Sequence, residues 1–252
     1  MRFLTEEDTK FKSIEHYMNL KKRFNRPDIN NWYEKIYRKA YSIGYVSEFF
    51  KKVKPTSFEN AYDHYTLSGF LDTGLPKEKR GRTKEELEQL AIEWKDKCGI
   101  DLPLVDFYDT LVLHAVVETC LGIMMEKEAQ KAYKHFGFDV TETEGEEDSR
   151  LAVDFIARKG EQTILVQVKP VSFFLAKKDD VIDDRKLIWN KREDREKKYP
   201  SSIYTCMVYD KNRKWAKKDG KFNLLYGDLV DKNGNIIESI LSKKYTFEEK
   251  LF

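Results

Sequence analysis

The sequence predicts an α/β protein, with a mainly helical region over residues 1–100 and an α/β core over 101–252. Three observations predict it. The longest run of helical periodicity, over 105–135, ends at a glycine, Gly137. Two β-branched apolar runs follow, separated by a short Lys-Gly-Glu turn. A highly charged helical stretch at 179–198 then leads into a clean strand, SIYTCMVY, at 202–209. Helix, strand, hairpin, helix and strand in that order make a sheet flanked by helices.

Along the first region, Phe11, Ile14, Tyr17 and Met18 have helical spacing, as do Trp32, Ile36 and Tyr37; Pro27 and Asn30-Asn31 separate the two sets. A short helix over 42–53 stops near Pro55, and Ser57 is placed to cap a helix over 59–65. Residues 68–82, SGFLDTGLPKEKRGR, with three glycines and a proline, read as a linker or mobile loop. Thr83 with Glu86 three residues on is a capping box that starts a helix ending at Cys98-Gly99.

In the second region Leu111, Ala115, Val116, Leu121, Met125, Ala129 and Ala132 supply the apolar face of the long helical run, and Gly122 is the expected point of division into two helices. Residues 138–141 read as a strand and 142–150 as a charged loop. The stretch 179–198 reads as one surface helix anchored by Ile182, Leu187 and Ile188. Beyond 209 come a basic loop or hairpin at 211–221 and two late strands at 222–226 and 235–240, joined through Asn233-Gly234.

A formal net charge of +2 excludes a global polycation, so any nucleic-acid surface must be a local patch. The three cysteines are odd in number and lack paired spacing, which points to a reduced, cytoplasmic protein with no disulfide framework. The four histidines form no ligand spacing, which argues against a zinc hydrolase. No Gly-rich phosphate loop calls for an NTP, no signal peptide opens the chain, and no apolar run is long enough for a bilayer, so no membrane is expected.

The stretch at 151–174, LAVDFIARKGEQTILVQVKPVSFF, organises the core. Asp154 and Lys169 lie on strands that otherwise look buried, where an unpaired charge loses its hydration at high cost. With Gly160 and Glu161 as the two central turn residues, Lys159 pairs with Gln162 and Asp154 falls opposite Gln167. Lys169 is two residues further on and so shares that face. A structural ion pair would explain Asp154 and Lys169; a site needing a metal ligand beside a lysine explains them too.

The helix before the hairpin reads GIMMEKEAQKAY. A helix acid, Gly137, Asp154 and Gln167-Val168-Lys169 together resemble the PD-(D/E)xK nucleases, the restriction-endonuclease-like superfamily. More narrowly, GIMMEKEAQKAY, EEDSRLAVDF and QVKPVSFF look like MjaI-type type II restriction endonucleases. The resemblance implies a restriction-endonuclease-like core, a mixed sheet flanked by helices. It maps Glu126 to the helix acid, Asp154 to the aspartate, Gln167 to the second acid and Lys169 to the lysine. The neutral Gln167 departs from the pattern and makes Glu126 more important, with Glu128 and Glu147 in reserve. It further implies Mg²⁺, with Mn²⁺ as substitute, held by Asp154, Glu126, the Val168 carbonyl and Gln167. A homodimer acting on double-stranded DNA in a prokaryotic cytoplasm, and a methyltransferase protecting the same site, complete the implication.

Those residue types suit phosphodiester hydrolysis: hard oxygen ligands hold Mg²⁺, and an adjacent lysine orients the water or stabilises developing charge. The cations available for DNA are Arg150, then Arg185, Arg192 and Arg195 on the charged helix, and Arg80 and Arg82 in the loop before Thr83. The densest cluster is Lys211, Arg213, Lys214, Lys217 and Lys218 around Trp215. An acid-balanced solvated surface competes with DNA contact, above all for the charged helix. The expected function is sequence-specific, Mg²⁺-dependent cleavage of double-stranded DNA. The alternatives are a structure-selective repair or junction-resolving nuclease and a catalytically inactive DNA-binding protein.

Overall fold

In the computed structural model Ser13 opens the first helix, α1 (Ile14–Arg23), by accepting the His16 N–H at 3.1 Å. The structure describes residues 4–24, 46–66, 82–99, 101–143, 150–175, 179–217, 223–225 and 246–248. The pattern around Trp32, the loop before Arg82 with Arg80, the acidic stretch with Glu147, Lys218, and the Asn233-Gly234 turn with its following strand lie outside them. The chain divides into two compact units, Met1–Ile123 and Met124–Phe252, a division that falls later than the expected 100/101 boundary. Among the described residues no helix is long and apolar enough to cross a membrane.

The first unit is helical. Helices α2 (Val46–Val53) and α3 (Phe58–Thr66) follow α1, and Ser57 caps α3 by accepting the Asn60 N–H at 3.0 Å. The capping box of α4 (Lys84–Cys98) closes as its sequence requires: Thr83 N–H donates to Glu86 at 3.0 Å and Glu86 N–H to the Thr83 hydroxyl at 3.2 Å. Phe24, Trp94 and Phe107 pack ring on ring, with centroids 5.2–5.6 Å apart. Helix α5 (Leu104–Val112) buries Asp109, whose two oxygens take Lys12 Nζ at 2.9 Å and His16 Nε2 at 2.8 Å. Burial pushes the Asp109 carboxyl up, while Lys12 and His16 oppose that shift.

The long helical run is not divided at Gly122. It passes from α5 through a wide turn, Leu113–Val117, in which Glu118 N–H bonds the Leu113 carbonyl, and continues as α6 (Glu118–His135). That i→i−5 bond is the π-type pattern, which accommodates one extra residue without ending the helix. Gly122 sits within α6, with open space where a Cβ would lie. The end of α6 is a Schellman motif. Gly137, at φ 78°, donates to the Lys134 carbonyl at 3.0 Å and Phe138 to the Tyr133 carbonyl at 3.1 Å. The Tyr133 and Phe138 rings meet 5.4 Å apart, the hydrophobic contact that accompanies this cap.

Among the described residues the second unit holds a mixed seven-stranded sheet. β1 (Asp139–Glu142), β2 (Phe155–Lys159) and β3 (Gln162–Pro170) form an antiparallel meander. Helices α7 (Val171–Leu175), α8 (Asp179–Asn190) and α9 (Arg192–Lys198) cross over to β4 (Ile203–Tyr209), which pairs parallel to β3. β5 (Trp215–Lys217) and β6 (Asn223–Leu225) pair antiparallel with β4, and β7 (Thr246–Glu248) with β5. Central strands β3 and β4 each bury five consecutive residues, as strands covered on both faces do. α6 covers one face, where Tyr133 meets Phe155 with centroids 5.5 Å apart. On the other face Phe174 of α7 and Ile188 of α8 pack on Cys206 and Val208.

The charged stretch at 179–198 is two helices rather than one. The chain bends at Lys191 (φ −74°, ψ −2°), which turns Ile188 and Arg195 inward and leaves Leu187 at 52% exposure. Leu187 is therefore not an anchor.

Candidate active site

The hairpin turn has the even length on which the site depends. Lys159 pairs with Gln162 and Phe155 with Val166, leaving Gly160 and Glu161 as the two turn residues. Gly160 takes a positive φ of 56°, the conformation a II′ turn demands at its first central position. One inserted residue would move every side chain of one strand to the opposite face. β2 proper begins at Phe155, one residue after Asp154, yet Asp154 N–H still donates to the Val166 carbonyl at 2.8 Å. Asp154 therefore lies just beyond the registered pairs, held to β3 at Val166, next to the face that carries Gln167 and Lys169.

β4 extends that face. Gln167 lies beside Cys206 and Lys169 beside Val208. Burial pushes the Cys206 thiol well up, Lys169 pulls it down and Asp154 pushes it further up. Both charges thus act on one sulfur. Asp154 and Lys169 are half-buried, Gln167 is 3% exposed, and Asp154 Oδ2 accepts the Val168 N–H at 2.6 Å. That charge-assisted bond ties the carboxylate to β3.

The segment leading into Asp154 is held at four successive carbonyls. Leu151 O accepts from Arg195 Nη1 at 2.8 Å and Ala152 O from Tyr204 Oη at 3.0 Å. Val153 O accepts from the Thr143 hydroxyl and Asp154 O from the Thr143 N–H at 3.3 Å. Ala152 sits at φ 53°, a left-handed conformation that costs a non-glycine residue about 1–2 kcal/mol. The donors come from β4, α9 and the residue after β1, so three parts of the fold fix the position of one aspartate. Tyr204, Arg195 and Thr143 carry no motif; the only hint was a tyrosine in the apolar strand SIYTCMVY.

Two buried arginines and a tryptophan depart from the DNA-contact expectation. Arg195, 5% exposed, also donates to Ile188 O at 3.2 Å and lies 3.9 Å over the Tyr204 ring. Arg185, 4% exposed, donates to the carbonyls of Phe173 and Phe174 at 3.0 Å and so caps the end of α7. Trp215 is fully buried, with its indole N–H on Glu128 Oε1 at 3.0 Å. These three hold the fold and do not line an open surface. Arg150 and Arg192 are exposed and pair with Asp194 at 3.8 Å and Glu196 at 2.7 Å. Lys217 pairs with Glu248 at 2.7 Å, and Arg82 with Glu86 at 3.7 Å. Lys211, Arg213 and Lys214 ride on a turn organised by Asp210, whose Oδ1 accepts the N–H groups of Asn212 and Lys214, both at 2.8 Å.

Of the helix acids, Glu128 is tied to the sheet by the Trp215 indole N–H. Glu126 is half-buried two residues earlier on the same helix. Among the described residues no three His, Cys, Asp or Glu side chains form a group that could hold a metal ion. The donors on the Asp154 face nevertheless suit a hard cation in kind: a carboxylate, an amide and peptide carbonyls. Mg²⁺ commonly takes one or two carboxylates and retains several waters. Protein-family models, curated proteins and solved structures returned no match to this chain.

Proposed function

We propose that this chain is a Mg²⁺-dependent endonuclease of the PD-(D/E)xK kind that cuts double-stranded DNA at a short specific sequence, as type II restriction endonucleases do. The observation that carries the reading is the shared face of Asp154, Gln167 and Lys169, created by the two-residue turn at Gly160 and Glu161. The order of helix, three antiparallel strands, helical crossover and parallel strand supports it, since the resemblance calls for a mixed sheet flanked by helices.

In this reading Asp154, Gln167, the Val168 carbonyl and Glu126 would hold the ion. When bound, Mg²⁺ supplies a more acidic water and neutralises phosphate oxygens. Lys169, on the same face, positions the attacking water or stabilises the charge that develops as the P–O bond breaks. The tethers at Leu151, Ala152 and Val153 keep Asp154 in place, so little reorganisation is needed on binding. Exposed Lys211 and Arg213 and half-buried Lys214, with Arg150 and Arg192, supply phosphate contacts. A homodimer, a protecting methyltransferase and a prokaryotic cytoplasmic setting belong to the same proposal.

The test is digestion of plasmid DNA with Mg²⁺ or Mn²⁺. Discrete fragments are expected, and Lys169→Ala should lose cleavage while still shifting DNA in a gel; an active Lys169→Ala enzyme defeats the role given to it. Cutting restricted to branched substrates would instead indicate a structure-selective nuclease. The neutral Gln167 favours a second reading, a non-catalytic DNA-binding protein, which predicts a shift without cleavage in either ion.

A further inference from the structure

The Tyr204 hydroxyl lies 2.9 Å from Gln167 Oε1 and 3.0 Å from the Ala152 carbonyl oxygen. A phenol has one proton, and both of those atoms are acceptors. The Ala152 carbonyl can only accept, so it takes that proton, and the tyrosine oxygen must then face Gln167 with a lone pair. The oxygen and nitrogen of an amide are told apart by the bonds around them. Half a turn of the Gln167 amide resolves the conflict: Nε2–H donates to Tyr204 Oη, and Tyr204 Oη–H donates to Ala152 O. Gln167 is 3% exposed, and the other atom of its amide makes no hydrogen bond to any described residue. After the half-turn that atom is an oxygen.

We propose that Tyr204 is a positioning residue: its hydroxyl fixes the Gln167 amide so that the amide oxygen is the atom left for a ligand on the Asp154 and Lys169 face. This deepens the nuclease reading and rests on it for the identity of the ligand, a hard divalent cation. Position 167 then supplies an oxygen without a charge, and its direction is set by a chain running from Ala152 through Tyr204. The ring that carries the hydroxyl is itself held by Arg195, 3.9 Å above it. A neutral residue there acts as an oxygen ligand because its other end is occupied.

The experiment measures Mn²⁺ binding to the full chain by electron paramagnetic resonance, beside the Gln167 side-chain amide signals of ¹⁵N-labelled protein. Tyr204→Phe should weaken Mn²⁺ binding about tenfold, the usual loss when the partner of a ligand is removed. Gln167→Met should weaken it comparably, and the double variant should fall no further than Gln167→Met, because Tyr204 acts through Gln167. In the wild type one Gln167 amide proton should be protected from solvent exchange, and Tyr204→Phe should remove that protection. Wild-type affinity in Tyr204→Phe, additive losses in the double variant, or an unprotected wild-type amide each overturns the proposal. If Tyr204→Phe does not fold, the wild-type amide signal decides. Mn²⁺ binding with these effects but no DNA cleavage defeats the nuclease reading alone; cleavage with unaffected Tyr204→Phe defeats the positioning role alone. A wild type that binds no Mn²⁺ defeats both.

Discussion

Replacing Arg195 by methionine separates a structural arginine from a DNA contact. The guanidinium donates to Leu151 O at 2.8 Å and Ile188 O at 3.2 Å, and lies 3.9 Å over Tyr204, at 5% exposure. Hydrogen bonds from a charged donor contribute about 1.5–3 kcal/mol each, and a desolvated cation over a ring about 2 kcal/mol. Methionine fills much of the volume and removes the desolvation penalty of a buried charge, which returns a few kcal/mol. The net expectation is a loss of about 3 kcal/mol, a large share of the roughly 5–15 kcal/mol that stabilises a domain. In thermal unfolding that corresponds to a fall on the order of 10 °C. Urea unfolding and the salt dependence of DNA binding should be measured together. Arg195→Met should lower the unfolding midpoint and leave the salt slope unchanged. An unchanged midpoint with a slope smaller by about 0.9, the signature of one lost phosphate contact, would refute the reasoning.

Other substitutions follow the same logic. Trp215→Phe removes the bond to Glu128 and should cost about 1 kcal/mol in urea unfolding, with DNA affinity unchanged; a selective loss of affinity would restore Trp215 to the DNA surface. Gly137→Ala meets Lys159 only at an ordinary 3.6 Å, so its cost is the left-handed backbone at φ 78°, about 1 kcal/mol, and a neutral result would mean the cap does not matter to stability. Burial raises the Asp109 carboxyl above its ordinary 3.8, so the folded unit holds that proton more tightly than the unfolded chain does. The stability this contributes is complete below about pH 4 and is lost as pH rises through the folded value. The stability of the wild type relative to Asp109→Asn should therefore decline from about pH 4 towards neutrality; a difference that rises with pH would contradict the sign.

Features that rest on local rules were legible in the sequence. A Gly-containing two-residue turn between β-branched runs dictates its own register, and from that register the face shared by Asp154, Gln167 and Lys169 follows. The Thr83 capping box and the Gly137 cap are local in the same way. What could not be read depends on contacts between distant residues. Arg185 and Arg195 stand in a run of charges, and nothing in such a run marks which two cations fold inward onto carbonyls. The π-type turn at Leu113–Val117 leaves apolar periodicity intact, whereas Gly122 is a visible but tolerated break. Tyr204 meets Gln167 only because a helical crossover lays β4 parallel to β3 in a particular register, which spacing along the chain does not encode.

The central claim is that the Asp154 face hydrolyses DNA. Purified wild type, Asp154→Asn and Lys169→Ala should be incubated with plasmid and Mg²⁺, and the fragment ends sequenced. Cleavage at one recurring short sequence by the wild type, with no cleavage by either variant although both still shift DNA, is the predicted result. Intact plasmid after incubation of the folded wild type with Mg²⁺ and with Mn²⁺ would contradict it.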